Sequence, residues 1–428
     1  MIGLFWSKKL DVKFIHDYLD KEPYISGVQD VLLILLCFFG VCYLITRFTN
    51  KYKIHDGKIY FVLWLYHLYF ILKYYFKGKG GAGTLDSRMY YMKGINPNAY
   101  YRSEIEFSFG SDFMFWISTQ FHNIFNFNYL SMNMLFGSLG FIGILLFLDV
   151  IWKCGFRKGM SHIQVYIIPL IFFLPNIHIW TCNFAKDGLI FFAIMLVTYS
   201  LSLERKSIPT LRKKIIFFTI GSFFIIMIRP HIYLLMLFSL VLTIILFGKQ
   251  SWLIKGPILF ALALAGYFIA RTFVNLFFGM SSIDIALILE ILENRQGYYV
   301  NKSYSGSSID TSGYPFFFKL FSYMFRPLFE KLNFNYIAMG VDNVVALFFA
   351  TALLSKRVFR FIKRAPFVVK FSLIYWLVVG GFLASMFSNF GIAVRQKTMV
   401  LYSFYVVLFA FVAYKSDLRK RQLERRRL

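Results

Sequence analysis

Residues Ile215–Phe247 read IIFFTIGSFFIIMI, then Arg229-Pro230-His231, then IYLLMLFSLVLTIILF. Two apolar runs this long, joined by three residues, predict a hairpin of membrane-spanning helices. A guanidinium and an imidazole at its tip are costly unless they face a wet cavity or a charged partner. Pro230 removes a backbone donor and so breaks the helix at that point. His231 then opens a new helix, whose first amides carry a positive partial charge suited to an anion. The plainer reading is an arginine snorkelling to lipid headgroups beside a histidine at a helix end.

The composition agrees with a membrane chain. Of 428 residues, 58% are hydrophobic, 21% aromatic and 16% charged, against roughly 25% charged in soluble domains. The net charge of +26 does not point to nucleic acid, because the basic residues gather in short loops and the tail. That is the positive-inside pattern, which sets orientation. Cys37, Cys42, Cys154 and Cys182 are scattered and suggest neither a disulfide framework nor a metal site. The first residues lack the apolar core and small-residue cleavage site of a signal peptide.

The expected fold is all-α: one polytopic helical membrane domain over residues 1–428. With about 20 apolar residues needed per crossing, eleven spans emerge: 29–47, 58–76, 128–151, 163–182, 185–203, 213–229, 231–247, 253–278, 336–354, 367–388 and 398–414. Basic loops around Lys153, Arg205, Arg212 and Lys356, and the tail 415–428, belong on the cytoplasmic side. The opposite side receives two long loops, 77–127 and 279–335, with interfacial helices expected at 111–127 and 280–296. It also receives three tight turns, Lys186-Asp187-Gly188, Arg229-Pro230-His231 and Arg395-Gln396-Lys397. Residues 1–28 fall outside by the span count, yet Lys8, Lys9, Lys13 and Lys21 argue for the inside.

Cations in outer turns run against the topology bias and ask for a reason. Arg229 and Arg395 can each make two parallel hydrogen bonds to a phosphate, and Gln396 lies beside the second. Arg326, before Pro327 in an aromatic stretch, is a third such cation. Lys186 stands next to Asp187 and favours its ionised form. Asp86 and Tyr90, at i and i+4, put a carboxylate and a phenol on one helical face. Each has a structural alternative: snorkelling for the arginines, a helix start for Asp187, a cap for Asp86. Asn389 and Gly391 suit a loop with special backbone angles, and residues 301–313 suit a lid. Asp149 and Asp342 fall near the ends of spans, which weakens an ion-coupled transporter. There is no HExxH, CxxC, GxSxG or Walker motif.

The ordered segments GTLDSRMYY, NFAKDG, IRPHI, MFRPL and SNFGIAVRQK resemble the Wzy-type oligosaccharide repeat-unit polymerases and, more broadly, GT-C-type integral-membrane glycosyltransferases. The resemblance covers roughly residues 60–410, through short motifs. It implies glycosyl transfer or polymerisation of polyprenyl-diphosphate-linked oligosaccharide on the outer face of a bacterial inner membrane; no cofactor is expected, and no residues are assigned as metal ligands. Arg229 and Arg395, with Arg326, would hold the diphosphate; Lys186, Tyr90 and Gln396 would contribute to substrate binding. The base stays open among Asp86, Asp187 and His231. The implied partners are the lipid-linked glycan, the bilayer and a chain-length regulator protein. Two other readings stand beside it: a GT-C transferase using a polyprenyl-monophosphate sugar, and a non-catalytic transporter of lipid-linked oligosaccharide.

Overall fold

A computed structural model describes residues 19, 21–54, 57–80, 85–96, 105–156, 171–204, 207–248, 251–278, 308–311, 313–330 and 334–425. The 280–296 helix, residues 301–307 and 312 of the expected lid and residues 163–170 of the 163–182 span lie outside these. Among the described residues every regular element is helical, apart from a single antiparallel bridge pair, Ser308 with Asn389. Eight helices among the described residues are long and apolar enough to cross a membrane, and nine when one bent pair counts as a span.

The chain divides into two compact units, residues 1–145 with 178–192, and 146–177 with 193–428. In the first, α1 (Val28–Tyr52) and α2 (Lys58–Lys79) form a hairpin. Asp30, in the first turn of α1, accepts from Ser26 N at 2.8 Å and from Ser131 Oγ at 2.5 Å. It thereby ties the start of α1 to the start of α5 (Tyr129–Ile151). Lys79, ending α2, donates to the Glu22 carbonyl at 2.7 Å and sits 3.8 Å over the Tyr24 ring. Residues 22–24 therefore lie at the end of the α1–α2 hairpin where α2 finishes. Two short helices, α3 (Asp86–Ile95) and α4 (Ser111–Phe125), pack on each other. Thr119 Oγ1 donates to Gly94 O at 2.7 Å at their contact.

A broken segment follows. α6 (Pro175–Thr181) and α7 (Lys186–Ser202) meet at 106° across Cys182–Ala185. Unwound backbone within an apolar protein must find partners, and Asn133 of α5 supplies one by accepting from Phe184 N at 3.1 Å. The approach is close because α5 carries glycines at 137, 140 and 143. A Cβ on Gly140 would lie 2.2 Å from Thr181 O, and one on Gly137 2.7 Å from Cys182 O. Small residues admitting backbone to backbone are a membrane packing device.

In the second unit, α8 (Ile208–Ile228) and α9 (Pro230–Phe247) form the hairpin read from the sequence. Arg229 is extended (φ −146°, ψ 75°) between them, and its carbonyl accepts from Ile232 N at 2.9 Å. α8 begins with Arg212, Lys213 and Lys214 and is not among the eight. α9 packs on α10 (Trp252–Phe278) and on α14 (Phe367–Ser385). α11 (Phe316–Phe325) packs on α14 and on α12 (Phe334–Ala350). After α13 (Arg357–Arg364) and α14 comes α15 (Phe390–Lys397), then α16 (Leu401–Arg425). α16 runs unbroken from apolar span into basic tail, with Asp417 and Arg421 paired at 3.0 Å.

Three expectations are corrected here. Asn389 and Gly391 take no special backbone angles: Asn389 is an extended N-cap accepting from Ile392 N at 3.2 Å, and Gly391 lies inside α15. Arg395-Gln396-Lys397 is accordingly the last turn of a helix, not a tight turn. Asp342 is not near a helix end either. It lies midway along α12, buried.

Large apolar side chains point outward along α1 (Leu32, Leu36, Phe39) and α10 (Leu253, Phe260, Leu264). Water would penalise such faces; hydrocarbon does not.

Candidate functional site

In the first unit, Asp86 opens α3 after an extended Leu85, so it lies in the first turn and is not the N-cap. Tyr90, one turn on, is buried against Phe115 and Phe184, with ring centroids 5.6 and 6.4 Å away. Lys186 Nζ lies 5.7 Å over the Tyr90 ring and donates to Ser111 Oγ at 2.7 Å. Two expected binding residues, Tyr90 and Lys186, are thus brought together. Asp187 is buried in the first turn of α7, where a carboxylate favours the helix dipole. Gly188 beside it lies close to the bend, since a Cβ there would approach Thr181 O to 3.0 Å, tighter than ordinary contact.

The same unit holds groups that the sequence reading passed over. Glu22 accepts from the Tyr91 hydroxyl at 2.5 Å and from Tyr129 N at 3.3 Å. Burial pushes its pKa above the ordinary carboxylate value, against the opposing pull of Tyr91, Tyr129 and Lys79. A carboxyl raised on folding holds its proton longer in the native than in the unfolded chain. Its stabilising contribution is therefore complete below the unfolded pKa and lost as pH rises through the folded one. Thermal unfolding in detergent should show a midpoint that falls across this range, and Glu22→Gln should flatten that slope. An unchanged slope in Glu22→Gln would remove Glu22 as its source.

His67 on α2 and His178 on α6 meet in the apolar interior, Nδ1 to Nδ1 at 2.7 Å. His67 Nε2 lies 3.0 Å from Gly137 O, which can only accept, so Nε2 carries a hydrogen. In a neutral pair His67 Nδ1 then accepts and His178 Nδ1 donates. Stacked rings enclose the pair: Trp64 lies on His67, and Phe70 lies on His178. Imidazoles at 67 and 178 inside apolar runs were a sequence signal; their pairing across 111 positions was not.

In the second unit, Arg229 is half-buried and close enough to Tyr323 of α11 to oppose the rise in the phenol's pKa caused by burial. Tyr323 Oη is buried without a hydrogen-bond partner. α11 ends at Arg326, whose Nε donates to Glu330 at 2.8 Å and whose guanidinium lies 5.3 Å over Phe390 of α15. α15 carries Arg395 and Gln396, both half-buried. Lys397, next in line, is buried and donates to Arg326 O at 2.7 Å and Asn343 Oδ1 at 2.9 Å. Burial pulls the Lys397 ammonium down to about 7, with Asp342 and Glu330 opposing. His231 is the second residue of α9 and half-buried. Of the expected lid, residues 308–311 dock on the α14–α15 connection: Ile309 N donates to Ser388 O at 2.9 Å and Thr311 Oγ1 to Phe387 O at 2.5 Å.

Arg229 thus lies beside Tyr323 of α11, Arg326 caps that helix and Arg395 lies on α15, all in one unit, while Asp86, Tyr90, Lys186 and Asp187 belong to the other. Among the described residues no three of His, Cys, Asp and Glu gather as a metal site, and the four cysteines are free thiols. These apolar helices, with arginines at their breaks, define a polytopic all-helical membrane protein. Compared with protein-family models, curated proteins and solved structures, the chain matches none.

Proposed function

We propose that the chain is an integral-membrane glycosyltransferase of the polysaccharide-polymerase type. Its substrate is polyprenyl-diphosphate-linked oligosaccharide, at the outer face of a bacterial inner membrane, with the C-terminus cytoplasmic. The eleven crossings add to the eight apolar helices α8 and a crossing on either side of the Cys182–Ala185 bend.

One observation carries the reading: α11 has Arg229 beside its Tyr323, and its C-cap Arg326 lies on the helix that bears Arg395. Guanidinium groups gathered on helix ends suit a diphosphate, on which negative charge grows as it leaves. Preorganised cations aimed at such charge supply a large part of transition-state stabilisation. The acceptor hydroxyl oxygen attacks the anomeric carbon, the bond from that carbon to the diphosphate oxygen breaks, and the hydroxyl proton passes to the base. Of the candidate bases Asp86, Asp187 and His231, the last belongs to the same unit as Arg229 and Arg395. Arg229 and Arg395, with Arg326, are the diphosphate ligands in this reading, and Arg326 also pairs with Glu330. No nucleotide is needed, because the donor bond is already activated.

The test is glycan length in cells that depend on this chain. Arg229→Ala and Arg395→Ala should each abolish long-chain glycan while the protein still reaches the membrane. Lysine at either position should restore little, since it lacks the two-pronged geometry. Long-chain glycan persisting in both alanine variants would reject the reading. Accumulation of unpolymerised lipid-linked units on the inner leaflet would favour the transporter.

A further inference from the structure

In the first unit a cavity of about 290 Å³ opens among Lys21, Glu22, Tyr91, His122, Asn126 and Phe127. It draws on four separate stretches: the segment before α1, the middle of α3, the end of α4 and the connection to α5. The floor is fixed. Glu22 is held by Tyr91 and Tyr129, and Asn128 behind it is spent on the Tyr24 carbonyl at 2.9 Å and on Ser131 N at 2.9 Å.

The groups left for an occupant are of mixed character. Glu22 uses two of its carboxylate acceptor positions and retains others. His122 lines this cavity; its Nδ1 is buried with no hydrogen-bond partner, and an imidazole nitrogen donates or accepts according to tautomer. Lys21 at the mouth is exposed and donates; the exposed Asn126 amide does both. Phe127 forms an apolar wall, stiffened by stacking on Phe125 at 5.1 Å. A phosphate would meet the Glu22 carboxylate, and an organic cation would meet Lys21. Mixed donors and acceptors beside one aromatic face instead match a neutral polyol with an apolar ring face. The volume lies at the small end of ligand pockets, which run from roughly 300 to 1,000 Å³.

We propose that this cavity is a saccharide-binding site, with Glu22, His122 and Asn126 taking ring hydroxyls and Phe127 taking the apolar face of the sugar. It deepens the transfer reading, on which it rests for its role as the place where one glycan is held. Its ligand class comes from the cavity alone. The raised pKa of Glu22 also fits a carboxyl that can donate to, as well as accept from, a hydroxyl.

The experiment uses the full chain in lipid nanodiscs, with Cys42 and Cys154 replaced by alanine and Lys21→Cys at the cavity mouth. Maleimide labelling at position 21 is timed with D-glucose, D-galactose or N-acetyl-D-glucosamine, and separately with sodium sulfate and inorganic diphosphate. At least one sugar should slow labelling several-fold while both anions leave it unchanged. Glu22→Gln should remove that protection, and His122→Gln tests the same point where the first variant does not accumulate. Protection by the anions alone, or by none of the probes, overturns the site. Sugar protection combined with normal long-chain glycan in the Arg229 and Arg395 variants keeps the site and rejects the transfer reading. Loss of polymer in those variants with no sugar protection rejects this site alone.

Discussion

Gly140→Ala should destabilise the protein, although alanine is the better helix former. By intrinsic propensity the exchange favours the helix by up to about 1 kcal/mol. The added Cβ, however, would fall 2.2 Å from the Thr181 carbonyl oxygen and 2.9 Å from its Cβ. The obstacle is backbone, not a flexible side-chain tip, so α5 and the α6–α7 bend must part. Overpacking of this kind costs about 1–3 kcal/mol and occasionally more. Parting them would also stretch the bond from Phe184 N to Asn133 Oδ1, exposing a backbone donor in an apolar interior. Gly140→Val, with two further methyl groups, should leave little folded protein in the membrane. Gly40 on α1 is the control, because no atom lies within 4 Å of a Cβ there. Gly40→Ala should leave the thermal midpoint in detergent unchanged or raise it, while Gly140→Ala lowers it. Equal midpoints for Gly140→Ala and the parent chain would mean that α5 does not approach the bend this closely.

The contrast between those glycines shows how far sequence reading reaches. Apolar runs near the length of a crossing identify α1, α2, α9 and α14 because that signal is local. The Arg229–Pro230 break is equally local, since proline forbids the continuous helix. Gly137, Gly140 and Gly143 recur at helical spacing, but the spacing does not say which backbone they admit. The partners are Thr181 and Cys182 at the bend and Phe191 and Phe192 of α7, residues that look like a continuation of the apolar run around them. Glu22 is invisible for a related reason: it sits in a polar stretch before the first span, and its partner Tyr91 lies 69 positions on. Asp86 and Tyr90 were legible as helical neighbours, yet Tyr90 is occupied by Lys186 from another helix. Lys397 was read as a cation of an outer turn because it follows Arg395. The short helix it ends instead turns it inward.

That inward turn carries the other large expected effect. Lys397 reaches Arg326 O and Asn343 Oδ1. It also lines a void of about 30 Å³ together with Asp342, Asn176 and Thr398. Asp342 Oδ2 accepts from Asn176 N at 3.1 Å, whereas its Oδ1 is buried without a hydrogen-bond partner. The void has room for about one water molecule, which needs some 30 Å³ in the liquid. Removing the ammonium with Lys397→Met keeps the length of the side chain but leaves two acceptors without a donor and Asp342 without its cation. Where Asp342 keeps its charge, removing the nearby cation from a buried carboxylate costs about 3–5 kcal/mol, mostly through the charge left behind. Adding Asp342→Asn to Lys397→Met removes that orphan charge, so the double variant should be more stable than the single one. An exposed lysine such as Lys356, replaced in the same way, should move stability by less than about 0.5 kcal/mol. Unfolding free energies in one detergent separate these cases. If Lys397→Met behaves like Lys356→Met, the cluster does not hold α15 to α12. If it fails and Asp342→Asn restores nothing, the loss lies in the Arg326 and Asn343 hydrogen bonds and not in the charge. Recovery in the double variant would instead place Lys397 as the counter-ion of Asp342. It would then hold in place the short helix that presents Arg395.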